Sequence, residues 1–361
     1  MKKLNTIDLF SGAGGLSQGF EQAGFNIIAG IDFDDAALKT YAHNFKNATS
    51  VKTDLFDEEQ AIADIEKAIN GKKVDVIIAG PPCQGFSLTG SRDINDSRNK
   101  LYVAVVHAVK HFKPDAFLIE NVPGMATLYG GKVKEQIVNT FEDMGYAVSV
   151  TDKPLLAADF GVPQMRKRMF FVGFKKEKGY STFEFPSPYL VPENYIGTAD
   201  AISDLPSLEY DLGHEDVAYE TEAVSEYQHM MREGSDTIHN HIGTRHTEEV
   251  QWVISQVPEG GNYKDLPPGV GESRKFNEAW TRYHSQKPSK TIDTGHRNHF
   301  HYKWNRVPTV RENARLQSFP DRFKFLGTKT QQNRQVGNAV PPLLAQAIAE
   351  KMKSHFKKGL E

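Results

Sequence analysis

Apolar residues in the first half of the chain form two alternating patterns. The run Val74–Ile78 is β-branched and has no polar alternation, which is typical of a strand buried on both faces. The segment Glu58–Asn70 instead places apolar residues at i, i+3 and i+4, which predicts an amphipathic helix. The same reading predicts strands at 5–10, 25–31, around Val51, 116–120, from Tyr146 and at 169–174, with helices between them.

Strands that alternate with helices of about a dozen residues indicate βαβ units. We therefore predict an α/β fold with a parallel sheet and helices on both faces. From Ser181 onward the periodicity fades, and prolines such as Pro186, Pro206 and Pro258 punctuate the sequence. This change of texture predicts a second, smaller and more irregular domain, whose layout the pattern does not give. A helix carrying Leu344 and Ile348 is expected near the end.

Composition narrows the class of protein. The 361 residues are 39% hydrophobic and 25% charged, which is ordinary for a globular chain. No apolar run reaches about 18 residues, so no membrane span is expected. Asp8 interrupts the only segment that resembles a signal peptide. With a single cysteine, the chain is expected in a reducing, cytoplasmic compartment.

Charge is distributed unevenly although its net value is only −3. Residues 193–233 contain eleven acidic side chains and one basic one, whereas residues 264–334 contain fifteen Lys or Arg and six acids. Such asymmetry is expected of a chain with one surface that faces a polyanion. We expect the basic stretch to line that surface and the acidic stretch to face away from it. Runs of charge are also common on solvated faces, so this pattern alone is only suggestive.

A glycine-rich turn, Ser11–Gly15, joins the first predicted strand to the first helix. Its glycines allow the backbone to approach a ligand closely, and Asp32 at the end of the next strand suits a ribose diol. The dinucleotide fingerprint Gly-x-Gly-x-x-Gly is incomplete, since Ser17 occupies the last position. The turn therefore favours a nucleoside cofactor without a pyrophosphate.

Two reactive side chains follow strands that parallel pairing would bring to one edge of the sheet. Cys83 follows Gly80-Pro81-Pro82, which ends the strand at 74–78, and it is the only cysteine. A lone cysteine is often an inert buried thiol, but the prolines before it and the loop after it argue against burial. Glu120 ends an apolar strand and is a candidate functional residue; the alternative is a surface carboxylate.

The polar stretch 88–100 has no periodicity and predicts a lid or a disordered segment. His239, His241 and His246 could suggest a metal, but no cysteine is nearby and polar turn residues separate them, so no metal is expected.

Ordered motifs across the chain resemble those of bacterial DNA (cytosine-5) methyltransferases of restriction–modification systems. The resemblance covers nearly the whole chain. The motifs are residues 8–15 (DLFSGAGG), 80–87 (GPPCQGFS), 120–122 (ENV), 164–168 (QMRKR), 287–292 (KPSKTI), 311–320 (RENARLQSFP) and 335–341 (QVGNAVP).

The resemblance implies a Rossmann-like sheet that binds S-adenosylmethionine, formed by residues 1–185 and 330–361, and a target-recognition domain at 186–329. It implies methylation of carbon 5 of a flipped-out cytosine in duplex DNA through a covalent Cys83 adduct. Glu120 would hydrogen-bond or protonate ring N3, Arg168 would hold O2, and Arg166 would support the site. The host would be protected from a cognate endonuclease, if one exists, and the protein is expected to be a monomer.

The resemblance also implies binding residues. Phe10 and Phe33 would contact the adenine, Asp32 the ribose and Asp54 the exocyclic amine. The complete expected cofactor set is Phe10, Ser11, Gly12, Gly14, Gly15, Leu16, Asp32, Phe33, Asp54, Leu55, Pro82, Asn338, Ala339 and Val340. Ala339 stands where some family members have serine. The expected DNA contacts are Gln84, Ser87, Arg98, Arg297, Lys303 and Arg306.

Other functions share parts of this pattern. An RNA (tRNA) cytosine-5 methyltransferase would have the same motifs but should lack so long a recognition segment. An amino-methyltransferase would carry Asp-Pro-Pro or Asn-Pro-Pro and an aromatic residue in place of the sequence at 80–83. A nicotinamide dehydrogenase is disfavoured by Ser17, and a catalytically inactive DNA-binding regulator would tolerate loss of Cys83 or Glu120, which are both present.

Overall fold

A computed structural model of the protein describes residues 3–81, 101–124, 131–271, 280–295 and 298–358. The chain divides into two compact units. The first, here called the sheet unit, comprises residues 1–156, 167–188 and 340–361, and the second unit comprises residues 157–166 and 189–339. These boundaries assign 157–166, 186–188 and 330–339 differently from the predicted domains at 1–185 with 330–361 and at 186–329. The catalytic and recognition roles of those domains stay predictions.

Regular elements are distributed over both units. The strands are β1 (Asn5–Leu9), β2 (Asn26–Asp32), β3 (Thr49–Lys52), β4 (Val76–Ala79), β5 (Ala116–Asn121), β6 (Tyr146–Val150), β7 (Leu155–Leu156), β8 (Lys167–Lys175), β9 (Val217–Ala218), β10 (Thr237–Ile238), β11 (Thr281–Arg282) and β12 (His299–Phe300). The helices are α1 (Gly15–Gln22), α2 (Asp35–Asn44), α3 (Glu58–Ile69), α4 (Leu101–Phe112), α5 (Lys132–Asp143), α6 (Thr198–Ile202), α7 (Glu226–Arg232), α8 (Glu248–Gln256), α9 (Val310–Leu316), α10 (Lys329–Asn338) and α11 (Pro342–Lys358).

The sheet unit contains one eight-stranded sheet, in the order β3-β2-β1-β4-β5-β8-β6 with β7 paired to β8. The first five strands are parallel, as predicted. β8 runs antiparallel to β5 and β6, so the sheet is mixed and the expectation of a wholly parallel sheet is wrong on this point. Because β8 runs in the opposite direction, it begins at the edge where the parallel strands end.

Helices cover both faces of this sheet. The sheet order reverses direction after β3, so right-handed crossovers place α1 and α2 on one face and α3, α4 and α5 on the other. On the second face, Ile65, Val109 and Ile137 are fully or almost fully buried against the strands in one hydrophobic cluster. The predicted α/β architecture with two helical layers is therefore confirmed.

α11 returns to the start of the chain and packs against α1. Gly19 on α1 makes this contact close, because a Cβ atom there would lie 2.4 Å from the carbonyl oxygen of Pro342 and 2.6 Å from the Cβ of Ala345. At the other end of the contact, Lys353 Nζ donates to the carbonyl oxygen of Ala23 at 2.7 Å. α1, α2 and α11 thus share one face of the sheet, where Phe356 of α11 contacts Phe174 of β8.

The second unit is built from short elements joined by long irregular segments, as its texture predicted. Its two small sheets contain only two strands each, β9 with β10 and β11 with β12. One local core gathers apolar side chains from α8 and the β11–β12 region, with Ile254, Val257 and Phe300 almost fully buried.

Buried ion pairs supply much of the polar interior of the second unit. The guanidinium of Arg315 bonds Asp204 Oδ1 at 2.5 Å and Asp321 Oδ2 at 2.6 Å, and all three side chains are fully buried. Arg306 bonds both carboxylate oxygens of Glu312 at 2.7 and 2.8 Å. A buried charge is stable only when it is paired in this way. These pairs fix how the short elements of the unit pack.

These pairs correct the expectation for the charged stretches. Asp204 from the acidic stretch neutralises Arg315 from the basic stretch, and Asp216 pairs with Lys324 at 2.7 Å. Buried bases cannot line a DNA-facing surface. Those of the basic stretch are Arg282, Arg306, Arg311 and Arg315. The count of fifteen bases at 264–334 therefore overstates the exposed positive charge.

None of the helices in the described part of the chain has the length and hydrophobicity needed to cross a bilayer. In the same ranges, no group of three or more His, Cys, Asp or Glu is arranged to hold a metal ion. The histidines weighed above have other partners: His239 bonds Asp216, His241 bonds Thr309, and His246 accepts from the amide of Val307.

The α1–α11 contact yields a prediction about stability. Gly19→Ala should lower the free energy of unfolding by about 1–3 kcal/mol, because overpacking against backbone outweighs the gain in helix propensity. Gly243→Ala is a control, since its Cβ would lie at an ordinary 3.4 Å from its nearest neighbour. Urea denaturation of both variants measures the effect, and equal stabilities would contradict the close packing.

Candidate active site

Asp32 joins the turns that follow β1 and β2. Its Oδ2 accepts from the amide of Gly12 at 2.8 Å, and its Oδ1 accepts from the amides of Phe33 at 2.7 Å and Asp34 at 2.9 Å. Burial raises the pKa of Asp32, and these amides oppose that rise. A carboxylate has about four acceptor positions, so one stays open for a ligand hydroxyl. The geometry suits a bound diol beside a fixed glycine turn.

Aromatic and acidic residues also follow the ends of β1, β2 and β3. Phe33 is 69% exposed, which is unusual for a large apolar side chain beside a buried carboxylate. Phe10, in the turn after β1, has a left-handed φ of 55°, a strained value for a residue of this size. After β3, Asp54 is exposed and accepts from the amide of Phe56 at 3.0 Å, whereas Leu55 is buried.

The glycine turn has a geometry that other residues would not adopt. Gly12 and Gly14 have φ of 52° and 102°, and Gly14 is the N-cap of α1, which begins with Gly15 and the buried Leu16. A Cβ on Gly12 would meet open space, whereas one on Gly14 would lie 2.3 Å from Phe45. Gly14 is therefore closed in by protein, and the backbone at Gly12 is open to a ligand.

Two buried polar atoms beside this turn, Oδ1 of Asp8 and Oγ of Ser11, have no hydrogen-bond partner among the residues that the structure describes. The other carboxylate oxygen of Asp8 accepts from Ser17 Oγ at 2.7 Å. Complete burial raises the pKa of Asp8 to about 7; the hydrogen bonds from Ser17 oppose this rise and the Asp32 charge adds to it. Sequence reasoning placed Asp8 in a motif but gave it no function. The signal in the sequence was Ser17, which replaces the third glycine of the dinucleotide fingerprint and donates to Asp8.

Glu120 and Arg168 form an ion pair at the carboxyl end of β5. Arg168 Nε lies 2.5 Å from Glu120 Oε1, and both side chains are nearly buried. The antiparallel pairing of β5 with β8 brings the start of β8, where Arg168 lies, to this end of β5. Glu120 Oε2 also lies 3.6 Å from the position that a Cβ on Gly80 would occupy, at the end of β4. Glu120 is thus held beside Gly80, which precedes Cys83 by three residues in the sequence.

Arg166 belongs to the second unit, not to the sheet unit that holds Glu120 and Arg168. Its buried guanidinium donates to the carbonyl oxygens of Gly337 at 2.7 Å and Ile292 at 3.2 Å. A Cβ on Gly337 would lie 2.5 Å from the carbonyl oxygen of Asp293. Arg166 therefore joins two backbone segments that carry other family-like motifs.

The last predicted cofactor residues lie where α10 ends. Asn338 is exposed, Ala339 is half-buried, and Val340 is buried at the start of the sheet unit's final segment. The carbonyl oxygen of Ala339 accepts from Gln317 Nε2 at 2.5 Å, within the second unit.

Several predicted site residues lie outside the described residues: Pro82, Cys83, Gln84, Ser87, Arg98 and Arg297, together with the stretch 88–100. Lys303 is exposed, and its Nζ lies 4.4 Å from the centroid of the Trp304 ring. Arg306 is 6% exposed and paired with Glu312, so we do not propose it as a DNA contact.

The described residues thus place a nucleoside-type turn and an acid–guanidinium pair on one sheet edge. The family model of C-5 cytosine-specific DNA methylases matches residues 4–354. The chain belongs to the C-5 cytosine-specific DNA methylase family. It is accordingly a DNA (cytosine-5) methyltransferase, and the resemblance found in its motifs is confirmed.

Curated relatives agree with this family. The chain is 42% identical to the type II methyltransferase M1.HphI of Haemophilus parahaemolyticus, over 96% of this chain and 86% of the relative. It is 38% identical to the type II methyltransferase M.DdeI of Desulfomicrobium norvegicum, over 98% and 89%. Both relatives are type II methyltransferases.

Solved structures share the fold. A putative DNA modification methyltransferase encoded within an E. coli prophage gives a TM-score of 0.79 at 29% identity, covering 98% of this chain and all of that one. A DNMT2 variant of Spodoptera frugiperda gives 0.62 at 16% identity, covering 98% and 100%, and supports the fold alone. The predicted methyltransferase-type sheet is therefore confirmed.

The buried Asp8 yields a pH prediction. Its pKa is about 7 in the folded protein against 3.8 ordinarily, so the folded state binds this proton more tightly than the unfolded chain does. The Asp8 contribution to stability is therefore full below pH 3.8, declines as pH rises to about 7, and is then lost. The difference corresponds to about 4 kcal/mol.

Asp8→Asn should remove this decline, so the variant should gain stability relative to wild type between about pH 4 and pH 7. Chemical denaturation across this range measures the difference. Asp152→Asn, at an exposed aspartate, is the matched control and should follow the wild-type pH dependence. An Asp8→Asn curve parallel to that of wild type would exclude a raised pKa.

Proposed function

We propose that this methyltransferase acts on carbon 5 of a cytosine flipped out of duplex DNA, through a covalent adduct with Cys83. The observation that carries the proposal is the Glu120–Arg168 pair beside Gly80. Cys83 follows Gly80 by three residues, so chain geometry keeps their Cα atoms within about 11 Å. The proposed nucleophile, Cys83, and the proposed acid, Glu120, are therefore close enough to act on one base.

The chemistry explains why both groups are needed. Carbon 5 of cytosine is a weak nucleophile in an aromatic, electron-poor ring. Addition of the Cys83 thiolate to carbon 6 forms a carbon–sulfur bond and makes carbon 5 an enamine-type nucleophile, which takes the methyl group. A base then removes the carbon 5 proton, and the electrons of that bond expel the thiolate and restore the aromatic ring.

Glu120 assists the addition by hydrogen-bonding or protonating ring N3, which draws electrons from carbon 6. Arg168 holds Glu120 in place through its Nε, and its remaining donors can reach the base O2. Arg166 contributes indirectly, because it fixes the backbone at Gly337 and Ile292.

S-adenosylmethionine, the proposed cofactor, supplies an electrophilic methyl group when it is bound. The residues of the glycine turn fit it: Asp32 has one open acceptor position, Phe33 offers an exposed ring, and the backbone at Gly12 is open. The unpartnered oxygens of Asp8 and Ser11 indicate that this turn is polar enough for a charged ligand. Asp54 and Leu55 after β3, and Asn338 to Val340, complete the proposed set.

Base flipping is required because carbon 6 must meet the thiolate, and carbon 5 the methyl donor, outside the base stack, at a cost of a few kcal/mol. We propose Gln84, Ser87, Arg98, Arg297 and Lys303 as DNA contacts, and protection of host DNA as the role. An RNA cytosine substrate is the alternative. Methyl transfer to duplex DNA and to tRNA, followed by bisulfite sequencing, separates the two: methylation of tRNA alone would overturn the DNA proposal.

Cys83 should form a stable adduct with duplex DNA that carries 5-fluorocytosine in the target site, because fluorine blocks the elimination that releases the thiolate. Mass spectrometry locates the adduct. Cys83→Ala should abolish the adduct and methyl transfer while leaving S-adenosylmethionine binding intact. An adduct on any other residue would contradict this mechanism.

Glu120→Gln should reduce the single-turnover rate by a factor on the order of 10² or more, since general acid assistance is typically worth this much. DNA affinity should change far less. Glu142→Gln, at an exposed glutamate of α5, is the control and should keep the wild-type rate. A near-normal rate in Glu120→Gln would leave Glu120 with a structural role only.

A further inference from the structure

Tyr41, on α2, packs beside the two turns of the proposed cofactor site, the glycine turn at 11–15 and the turn at Asp32–Phe33. Its ring packs on the backbone of β2, because a Cβ on Gly30 would lie 2.1 Å from Tyr41 Cζ. Its neighbour Phe45, with ring centroids 4.5 Å apart, blocks the space beside Gly14 in the same way. The two rings therefore support the backbone beside the glycine turn. They can pack this closely because Gly30 and Gly14 have no side chains.

The hydroxyl of Tyr41 continues this contact as a buried polar chain. It lies 2.7 Å from Ser17 Oγ, which in turn donates to Asp8 Oδ2 at 2.7 Å. Burial raises the pKa of Tyr41 well above its ordinary value, so the hydroxyl keeps its proton and can donate. Since Ser17 uses its single proton on Asp8, Tyr41 is the donor in the second bond.

The hydrogen-bonded series Tyr41–Ser17–Asp8 connects three elements. Asp8 is on β1 just before the glycine turn, Ser17 is in the first turn of α1 just after it, and Tyr41 is on α2, which follows Asp32 and Phe33. Packing alone would be satisfied by phenylalanine at position 41. A fully buried hydroxyl is costly unless it is bonded, so its two-step link to Asp8 indicates a requirement for orientation.

We propose that Tyr41 is a positioning residue for the cofactor: the Tyr41–Ser17–Asp8 chain sets the glycine turn relative to the Asp32–Phe33 turn. Both turns carry cofactor-binding groups, so an error in their relative placement weakens cofactor binding and leaves DNA binding and the chemical step unaffected. This inference rests on the proposed binding of S-adenosylmethionine at this edge.

Tyr41→Phe removes the hydroxyl and keeps the ring. We expect the Kd and the KM for S-adenosylmethionine to rise about 5-fold, as for loss of one buried hydrogen bond. The kcat and the KM for duplex DNA should stay within about twofold of wild type, a smaller change than the loss of one buried hydrogen bond would cause. Ser17→Ala removes the middle hydroxyl of the same hydrogen-bonded series. It should likewise raise the KM for S-adenosylmethionine and leave kcat nearly unchanged, so it provides a second test if Tyr41→Phe folds poorly.

Tyr146→Phe is the matched control. Tyr146 is a buried tyrosine of the same unit whose hydroxyl donates to the carbonyl oxygen of Pro114 at 2.8 Å, at the opposite edge of the sheet. It should lower thermal stability as Tyr41→Phe does and leave the cofactor Kd unchanged. Equal effects of Tyr41→Phe and Tyr146→Phe on that Kd would overturn the inference. A wild-type protein that did not bind S-adenosylmethionine would instead overturn the proposed function.

Discussion

The carboxylate of Asp32 determines the shape of the candidate site. Three backbone amides from two separate turns converge on it, so neither turn can move without losing a charge-assisted hydrogen bond. The burial that raises its pKa is tolerated because these amides compensate for lost water. The ligand-facing edge is therefore organised before any ligand arrives, and binding need not order the loops afterwards.

Much of the sheet unit could be predicted from sequence because its signals are local. Apolar runs marked β2, β4 and β5 to within about two residues, and helical spacing marked α3 to within about one residue of its observed bounds. The direction of β8 was missed, because alternation and propensity carry no information on which way a strand runs. That direction is what joins Arg168 to Glu120, so the sequence motifs identified both residues without revealing their ion pair.

The second unit resisted prediction for a different physical reason. Its interior relies on buried arginines such as Arg311 and Arg315, each with some partners distant in sequence: Arg311 donates to the carbonyl oxygen of His239, and Asp204 is more than a hundred residues from Arg315. A charge count treats every arginine as exposed and therefore misassigned these side chains to a surface. Leaving one such partner unpaired costs several kcal/mol, so these pairs also constrain which sequences the unit can accept.

The packing of α11 on α1 has a consequence for synthesis of the protein. Residues separated by more than 300 positions must meet before one face of the sheet is covered, as at Gly19 and Pro342. Contacts of this kind are formed late, because loop closure costs entropy before the contact repays it. A ribosome-bound chain that has not yet released residues 342–358 therefore exposes the apolar surface of α1. Covering of the α1 face of the sheet is thereby coupled to synthesis of α11.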